Sequence, residues 1–399
     1  MELISEASPL LIVVGAGGVG KTTLAAALGV TSALDGRDTL VMTFDPSLRL
    51  KDVFGVGEEA REREIAVDLG GLAAGAGGGG GSGGPGAGGD VGAPAAPGRL
   101  EVSLLDAGRT FDRLVARYAP DEAARRRILG NRFYRHLSGT LSGILEYMAV
   151  ERLFEVAAEG RHRQVILDTP PTRQALDFLE APARIVGFLD SGALRIALKP
   201  WFGPSGHLRA TARLGRLGRR LERYFDDLVG LDLLRDMAEF FQAFGPLFDG
   251  FRRRAAKVEE LLRSPRTLFV LVAGPSEERN PDTLFFARRL VAAGYRLGPI
   301  VVNRVHPEFA GGAGGGPGGS REPSAGPAAV GGRALMTWLA ARDHRGVVQL
   351  RDLLSGEQRL AVLLLLAAEP TDLAVLSALG RDLRRRVAAP REPPQPGSQ

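Results

Sequence analysis

Residues Leu10–Leu24 read LLIVVGAGGVGKTTL: an apolar run, a glycine-rich turn, then a lysine and two threonines. Gly15, four residues, Gly20, Lys21 and Thr22 have the spacing of a phosphate-binding loop. The context also fits, with a strand pattern before the turn and a helical pattern after it. Glycines let successive backbone N–H groups turn inward around phosphates, and a helix starting near Lys21 offers them its positive end. The expected cradle is Gly15, Ala16, Gly17, Gly18, Val19, Gly20, Lys21, Thr22 and Thr23. Lys21 would supply a point charge to the outer phosphates, and the Thr22 hydroxyl would ligate Mg²⁺.

Outward from this loop, short apolar runs alternate with helical patterns. The runs predict strands at Leu10–Val14, Thr39–Phe44, Val165–Asp168, Leu268–Ala273, Pro299–Asn303 and Leu360–Leu366. They are continuous rather than alternating, as in parallel strands covered on both faces. Helices are predicted at Lys21–Leu34, Asp121–Val156 and Asn280–Ala293. This order predicts an α/β fold of the P-loop NTPase kind, with a mostly parallel central sheet flanked by helices. No strand pattern occurs in 194–262, which reads as a helical insertion. Residues 70–98 and 311–332 are nearly all Gly, Ala and Pro, a composition expected of disordered loops. With 388–399 as a flexible tail, 1–399 reads as one domain.

Three further segments belong with the loop. VILDTPPT sets Asp168 at the end of an apolar strand, where an acid without a cation partner is poorly solvated; it is the second expected Mg²⁺ position, directly or through water. VMTFDPS sets Asp45 at another strand end, where ligands of such sheets gather. An acid there can orient or deprotonate the water that attacks a γ-phosphate. IVVNRVHP sets Asn303 after a late strand, where its amide can pair with a base edge. A guanine reader would need an aspartate three residues on, and His306 stands there, so adenine, and hence ATP, is expected.

Composition narrows the alternatives. The chain has 399 residues, a formal charge of +5 and no cysteine. Disulfides, cysteine zinc sites, iron–sulfur clusters and thiol catalysis are excluded. With 46 acids among 51 bases, no nucleic-acid partner is expected. No uncharged apolar stretch of about 18 residues occurs, and MELISEASP is unlike a signal peptide, so a cytoplasmic protein is expected. The five histidines, His136, His162, His207, His306 and His344, lack ligand spacing, and no metal beyond nucleotide-bound Mg²⁺ is expected.

In this order GAGGVGKTT, TFDPSLRLKDVFG, VILDTPPTRQALDFLEAP and VVNRVHP resemble motifs of the anion-transporting, ArsA-like ATPase family. That family includes the arsenite-pump ATPase and the targeting factor for tail-anchored membrane proteins. RTFDRLVARYAP, GTLSGILEYMAVERLF and FFQAFGPLFDGFRRRA resemble its bacterial single-domain members. The resemblance implies Mg-dependent ATP hydrolysis coupled to a conformational switch. It places the phosphate loop at Gly17–Thr23, the water-orienting acid at Asp45 in a first switch, and a second switch at Pro170–Gln174 after Asp168. It also places Asn303 on adenine and implies a homodimer with two ATPs at its interface. Ala16 departs from the family, which usually has a lysine here that reaches the partner's phosphates; Arg49 and Arg173 are candidate substitutes. The missing cysteines exclude arsenite binding by thiolates and the targeting factor's zinc clip.

Within the insertion, Arg209, Arg213, Arg216, Arg220 and Arg223 fall along one helix side, with Leu208, Leu214, Leu217 and Leu221 supplying an apolar side. This stripe suits a solvated face over a buried one, or an anionic membrane surface or acidic partner. Phe225, Leu228, Leu234, Met237, Phe241, Phe244, Phe248 and Phe251 form a second amphipathic pattern, read as core packing or as a groove for a hydrophobic client. Three alternatives thus stand beside the switch ATPase: a targeting or chaperone factor for membrane-protein segments, the ATPase subunit of an anion exporter, and a regulatory switch of the MinD or ParA kind.

Overall fold

The computed structural model describes residues 3–4, 8–43, 53–61, 63–70, 72, 96–131, 144–169, 181, 187, 240, 247–308, 332–354, 358–368, 370 and 372–389. The chain divides into two compact units: one of Met1–Leu104, Glu159–Leu176 and Arg263–Gln399, the other of Leu105–Ala158 and Asp177–Leu262.

The first unit is built on an eight-stranded sheet. Its strands are β1 (Leu10–Gly15), β2 (Thr39–Thr43), β3 (Ile65–Val67), β4 (Leu100–Leu104), β5 (Gln164–Asp168), β6 (Thr267–Ala273), β7 (Leu297–Val305) and β8 (Leu360–Leu364). Their order is β3-β4-β2-β5-β1-β6-β7-β8, parallel throughout except for β3, which pairs antiparallel with β4. All residues of β1, β2, β5 and β6 are buried, which is why these strands read as continuous apolar runs. Helix α1 (Lys21–Leu34) lies on one face with the last helix, here α8 (Leu373–Ala388). Leu24, Leu28 and Val30 of α1 join Leu376, Leu379 and Leu383 of α8 and Leu11, Val13 and Val41 of the sheet in one core cluster. Each such buried side chain stabilises the fold by about 1.5–3 kcal/mol.

The second unit holds α2 (Ala107–Tyr118), α3 (Glu122–Gly130), α4 (Ile144–Glu159) and α5 (Phe248–Arg263), the last residues of α4 and α5 lying across its boundary. Asp106 and Asp121 cap α2 and α3, accepting from the N–H of Arg109 and Ala124. Phe251 is buried against Phe111 and Tyr118. Glu151, fully buried, accepts from Tyr147 Oη at 3.1 Å and from Arg254. Burial pushes the Glu151 carboxyl up while Arg254 pulls it back, and burial beside Glu151 pushes the Tyr147 phenol well up. On the first unit, α6 (Asn280–Ala292) is tied to α7 (Gly332–Leu353) by the buried Asn280, whose amide donates to Gly346 O and Gln349 Oε1 at 3.0 and 2.7 Å.

The six strands expected from sequence are present. So are two that were not expected, β3 and β4, which form one edge of the sheet. The helix expected over Asp121–Val156 is not continuous: α3 ends at Gly130, and Asn131 is extended. Gly and Asn are poor interior helix residues and common at helix ends, which accounts for the break. The arginine stripe 209–223, most of the phenylalanine pattern, the switch segments 44–50 and 170–174, most of both glycine-rich segments and most of the tail lie outside the described residues.

Candidate functional site

β1 ends in the glycine turn and α1 begins at Lys21, so the loop sits at the carboxyl edge of the sheet between β5 and β6. Two glycines are required by space as well as by dihedral angle. Gly15 has φ +150°, and a Cβ there would lie 2.2 Å from Val272 O on β6; Gly20 has φ +94°, and a Cβ would lie 2.4 Å from Asn303 Nδ2. Unlike α2, α3 and α8, which are capped by aspartates, α1 starts at Gly20 with no side-chain cap. Its first N–H groups therefore face the loop.

Side chains grip the loop's carbonyls. Lys21, buried, donates from Nζ to Ala16 O at 3.0 Å; Arg304 donates from Nη1 to Gly18 O at 2.8 Å; Asn303 donates from Nδ2 to Val19 O at 2.8 Å. In a trans peptide the C=O of one residue and the N–H of the next point in opposite directions. Holding the carbonyls of residues 16, 18 and 19 therefore turns the N–H groups of Gly17, Val19 and Gly20 the other way. Such a row of oriented N–H groups binds anions.

Neighbouring strand residues normally face opposite sides of a sheet, yet Asn303 and Arg304 both reach the loop. The cause is a bulge. Val302 pairs with Val362 and Val305 with Leu364, so three steps on β7 oppose two on β8. Arg304 lies in this step with φ +65°, the only non-glycine with positive φ among the described residues. Sequence reading missed it, because nothing in NRVHP marks a left-handed arginine.

The second contact of the site is between α1 and β5. Thr22 Oγ1 donates to Asp168 Oδ2 at 2.6 Å, and Thr43 Oγ1 at the end of β2 donates to the same oxygen at 2.9 Å. Asp168 is fully buried, and β5 pairs it with Val13 on one side and Thr43 on the other. Thr43 is also new, its signal hidden inside the strand pattern VMTFDPS. The hydroxyl and carboxylate oxygens meeting here are hard donors, a set that suits Mg²⁺.

His306 does not stand open to a base. Its Nδ1 lies 2.6 Å from Asp343 Oδ2 on α7, and Arg342 Nη2 lies 2.7 Å from Asp343 Oδ1. Burial alone would raise the Asp343 carboxyl, but the hydrogen bonds from His306 and Arg342 outweigh it and hold it below its ordinary value. Asp45, Arg49 and Arg173 lie outside the described residues.

Residues 9–72, which include this loop, match the family model described as anion-transporting ATPase. This match and the relatives that follow support a likeness of the chain to the ArsA-like anion-transporting ATPases. It is similar to "Putative arsenical pump-driving ATPase 1" of Aquifex aeolicus, at 23% identity over 75% of this chain and 64% of that protein. It is also similar to an arsenical pump-driving ATPase, again named as putative, of Halobacterium salinarum, at 28% identity over 49% of this chain and 27% of that protein. A third relative, "Uncharacterized protein SCO2128" of Streptomyces coelicolor, is 25% identical over 90% of this chain and 76% of its own length. The chain thus spans less than two thirds of the two relatives named for arsenical pumps. Among the described residues, no helix is long and apolar enough to cross a membrane.

Proposed function

We propose that the chain is an Mg-dependent ATPase of the ArsA-like type, in which the loop Gly15–Thr23 holds the phosphates of ATP. The observation that carries this reading is the 2.6 Å bond between Thr22 and Asp168, which joins the start of α1 to the end of β5 beside the lysine of the loop. Lys21 leaves Ala16 O to bind the outer phosphates, and the N–H groups of Val19 and Gly20, still aimed by Arg304 on Gly18 O and Asn303 on Val19 O, complete the cradle. Thr22 and Asp168 would hold Mg²⁺, which when bound neutralises phosphate charge. Thr43 fixes the orientation of the Asp168 carboxylate. Asp45 orients the attacking water, and Asn303 stands beside the loop for adenine. His306 is committed to Asp343, which supports ATP over GTP.

The test is phosphate release from ATP and GTP, with and without Mg²⁺, together with a nucleotide competition titration. Tighter binding and hydrolysis of Mg·ATP are expected. Equal affinity for GTP overturns the role of Asn303, and absence of both binding and hydrolysis overturns the whole reading.

The family resemblance adds a nucleotide-dependent homodimer. Ala16 is exposed and uncharged at the rim of the loop, where a cross-subunit lysine would offset phosphate charge. Without it the dimer is weak, promoted by Mg·ATP and lost after hydrolysis. Unpaired charge at a dry interface costs more than about 1 kcal/mol, so Ala16→Lys should tighten the ATP-bound dimer in sedimentation with a non-hydrolysable analogue. A dimer equally tight in every nucleotide state, and unaffected by the substitution, removes this part of the proposal.

A further inference from the structure

At the opposite edge of the same sheet, Glu64, Glu101 and His162 come together with one potential ligand atom each, all within 4.8 Å of one another. Glu64 immediately precedes β3, Glu101 is the second residue of β4, and His162 lies two residues before β5. The pairing of β3 with β4 sets Ala66 opposite Glu101, which makes Glu64 the diagonal neighbour of Glu101 on one face of the sheet. Asp168, on the nucleotide side, is a full strand further along β5. Its four steps from Gln164 span about 13 Å at roughly 3.3 Å per residue.

The histidine is buried more deeply than a surface ion pair requires. Its side chain is 4% exposed, and Nε2 points at Glu101 Oε2 at 2.6 Å. The other ring nitrogen, Nδ1, is buried and has no hydrogen-bond partner among the described residues. A buried imidazole with a ring nitrogen within 4.8 Å of oxygens from two carboxylates is a ligand arrangement as well as an ion pair. The Glu64 side chain is 8% exposed and meets Arg161 Nη2 at 2.6 Å. Arg161 also donates from Nε and Nη2 to Glu159 Oε2, at 3.1 and 2.8 Å. It therefore keeps an acidic partner when Glu64 is taken by another cation.

We propose that Glu64, Glu101 and His162 form a binding site for a first-row divalent cation, separate from the nucleotide site and independent of the function proposed above. Two carboxylate oxygens and one imidazole nitrogen match the ligand chemistry of zinc, manganese or iron(II) rather than that of a thiolate-selected metal. Ligands about 2.0–2.2 Å from a tetrahedral ion lie about 3.4 Å apart. Binding therefore opens the Nε2–Oε2 contact slightly, expels the proton shared across it, and draws Glu64 in. The ion would clip the short β3 to β4 and to the entry of β5, at the antiparallel pair of the sheet. No family spacing suggests this site, because its ligands come from positions 37 and 61 residues apart that only the topology unites.

The experiment is calorimetric titration of the full chain with Zn²⁺ in excess Mg²⁺, with melting temperature as a second readout. One saturable equivalent and a raised melting temperature are expected for the wild type. His162→Ala and Glu101→Gln should each weaken that equivalent at least tenfold and abolish its melting shift, whereas Arg161→Ala should leave it intact or tighten it. If His162→Ala does not fold, Glu101→Gln carries the same expectation. No saturable uptake by the wild type, or a titration unchanged in the folded variants, overturns the proposal.

Discussion

The two edges of the sheet bind, on our readings, by opposite means. At the carboxyl edge the ligand groups are mostly backbone N–H groups of consecutive residues, and side chains serve to aim them. Lys21, Asn303 and Arg304 hold the carbonyls of Ala16, Val19 and Gly18. At the amino edge the ligand groups are three side chains brought together by strand pairing, and the backbone serves only to place them. A backbone cradle needs glycines at fixed spacing, and therefore leaves a mark in the sequence. A side-chain cluster built by topology leaves none until the strand order is known.

The sharpest way to break this contrast is to remove the one charge inside the cradle. Lys21→Ala should lower turnover by about 10³-fold or more and greatly weaken nucleotide binding, since it removes a preorganised cation from the phosphates. Phosphate release near the wild-type rate would refute the cradle. Lys21 is also buried, so the folded fraction of the variant is checked by melting.

A smaller effect is expected where an acid acts on water rather than on phosphate. Asp45→Asn should leave Mg·ATP binding nearly intact and slow turnover by roughly 10²-fold, the scale of a lost general base. If affinity and turnover fall together, Asp45 is a structural residue or a metal ligand.

The difference between the edges also explains what was legible. The burial of β1, β2, β5 and β6 on both faces wrote continuous apolar runs, and the glycine loop wrote its own spacing. β4 was missed although LEVSL alternates apolar and polar residues, because five residues make a short signal beside the continuous apolar runs, and β3 because three residues carry no period. The histidines looked unrelated because sequence spacing says nothing about residues joined across β3, β4 and β5. Thr43 and Arg304 escaped for a related reason: one is a strand-end hydroxyl, the other depends on a bulge that is a property of two strands. The Asp168 position was readable, since an acid closing an apolar strand stands out.

Arg304 offers the finest test, because its two properties can be separated. A non-glycine residue in the left-handed region costs about 1–2 kcal/mol, and such strain persists only where the surroundings impose it. Here the imposed result is that Asn303 and Arg304, adjacent on β7, both reach the glycine loop. Arg304→Ala removes the guanidinium and keeps the strain; Arg304→Gly removes both. If the guanidinium orients the Gly18 peptide, the two variants should lose ATP affinity alike, by about threefold to tenfold for one exposed charge-assisted hydrogen bond. Their stabilities should nevertheless diverge, with the glycine variant more stable than the alanine variant by about 1 kcal/mol. Denaturant melts and nucleotide titrations of the pair read the two effects independently. Unchanged ATP affinity in both variants would show that the bulge serves only to carry the chain from β7 toward α7, and that Lys21 and Asn303 aim the loop without it.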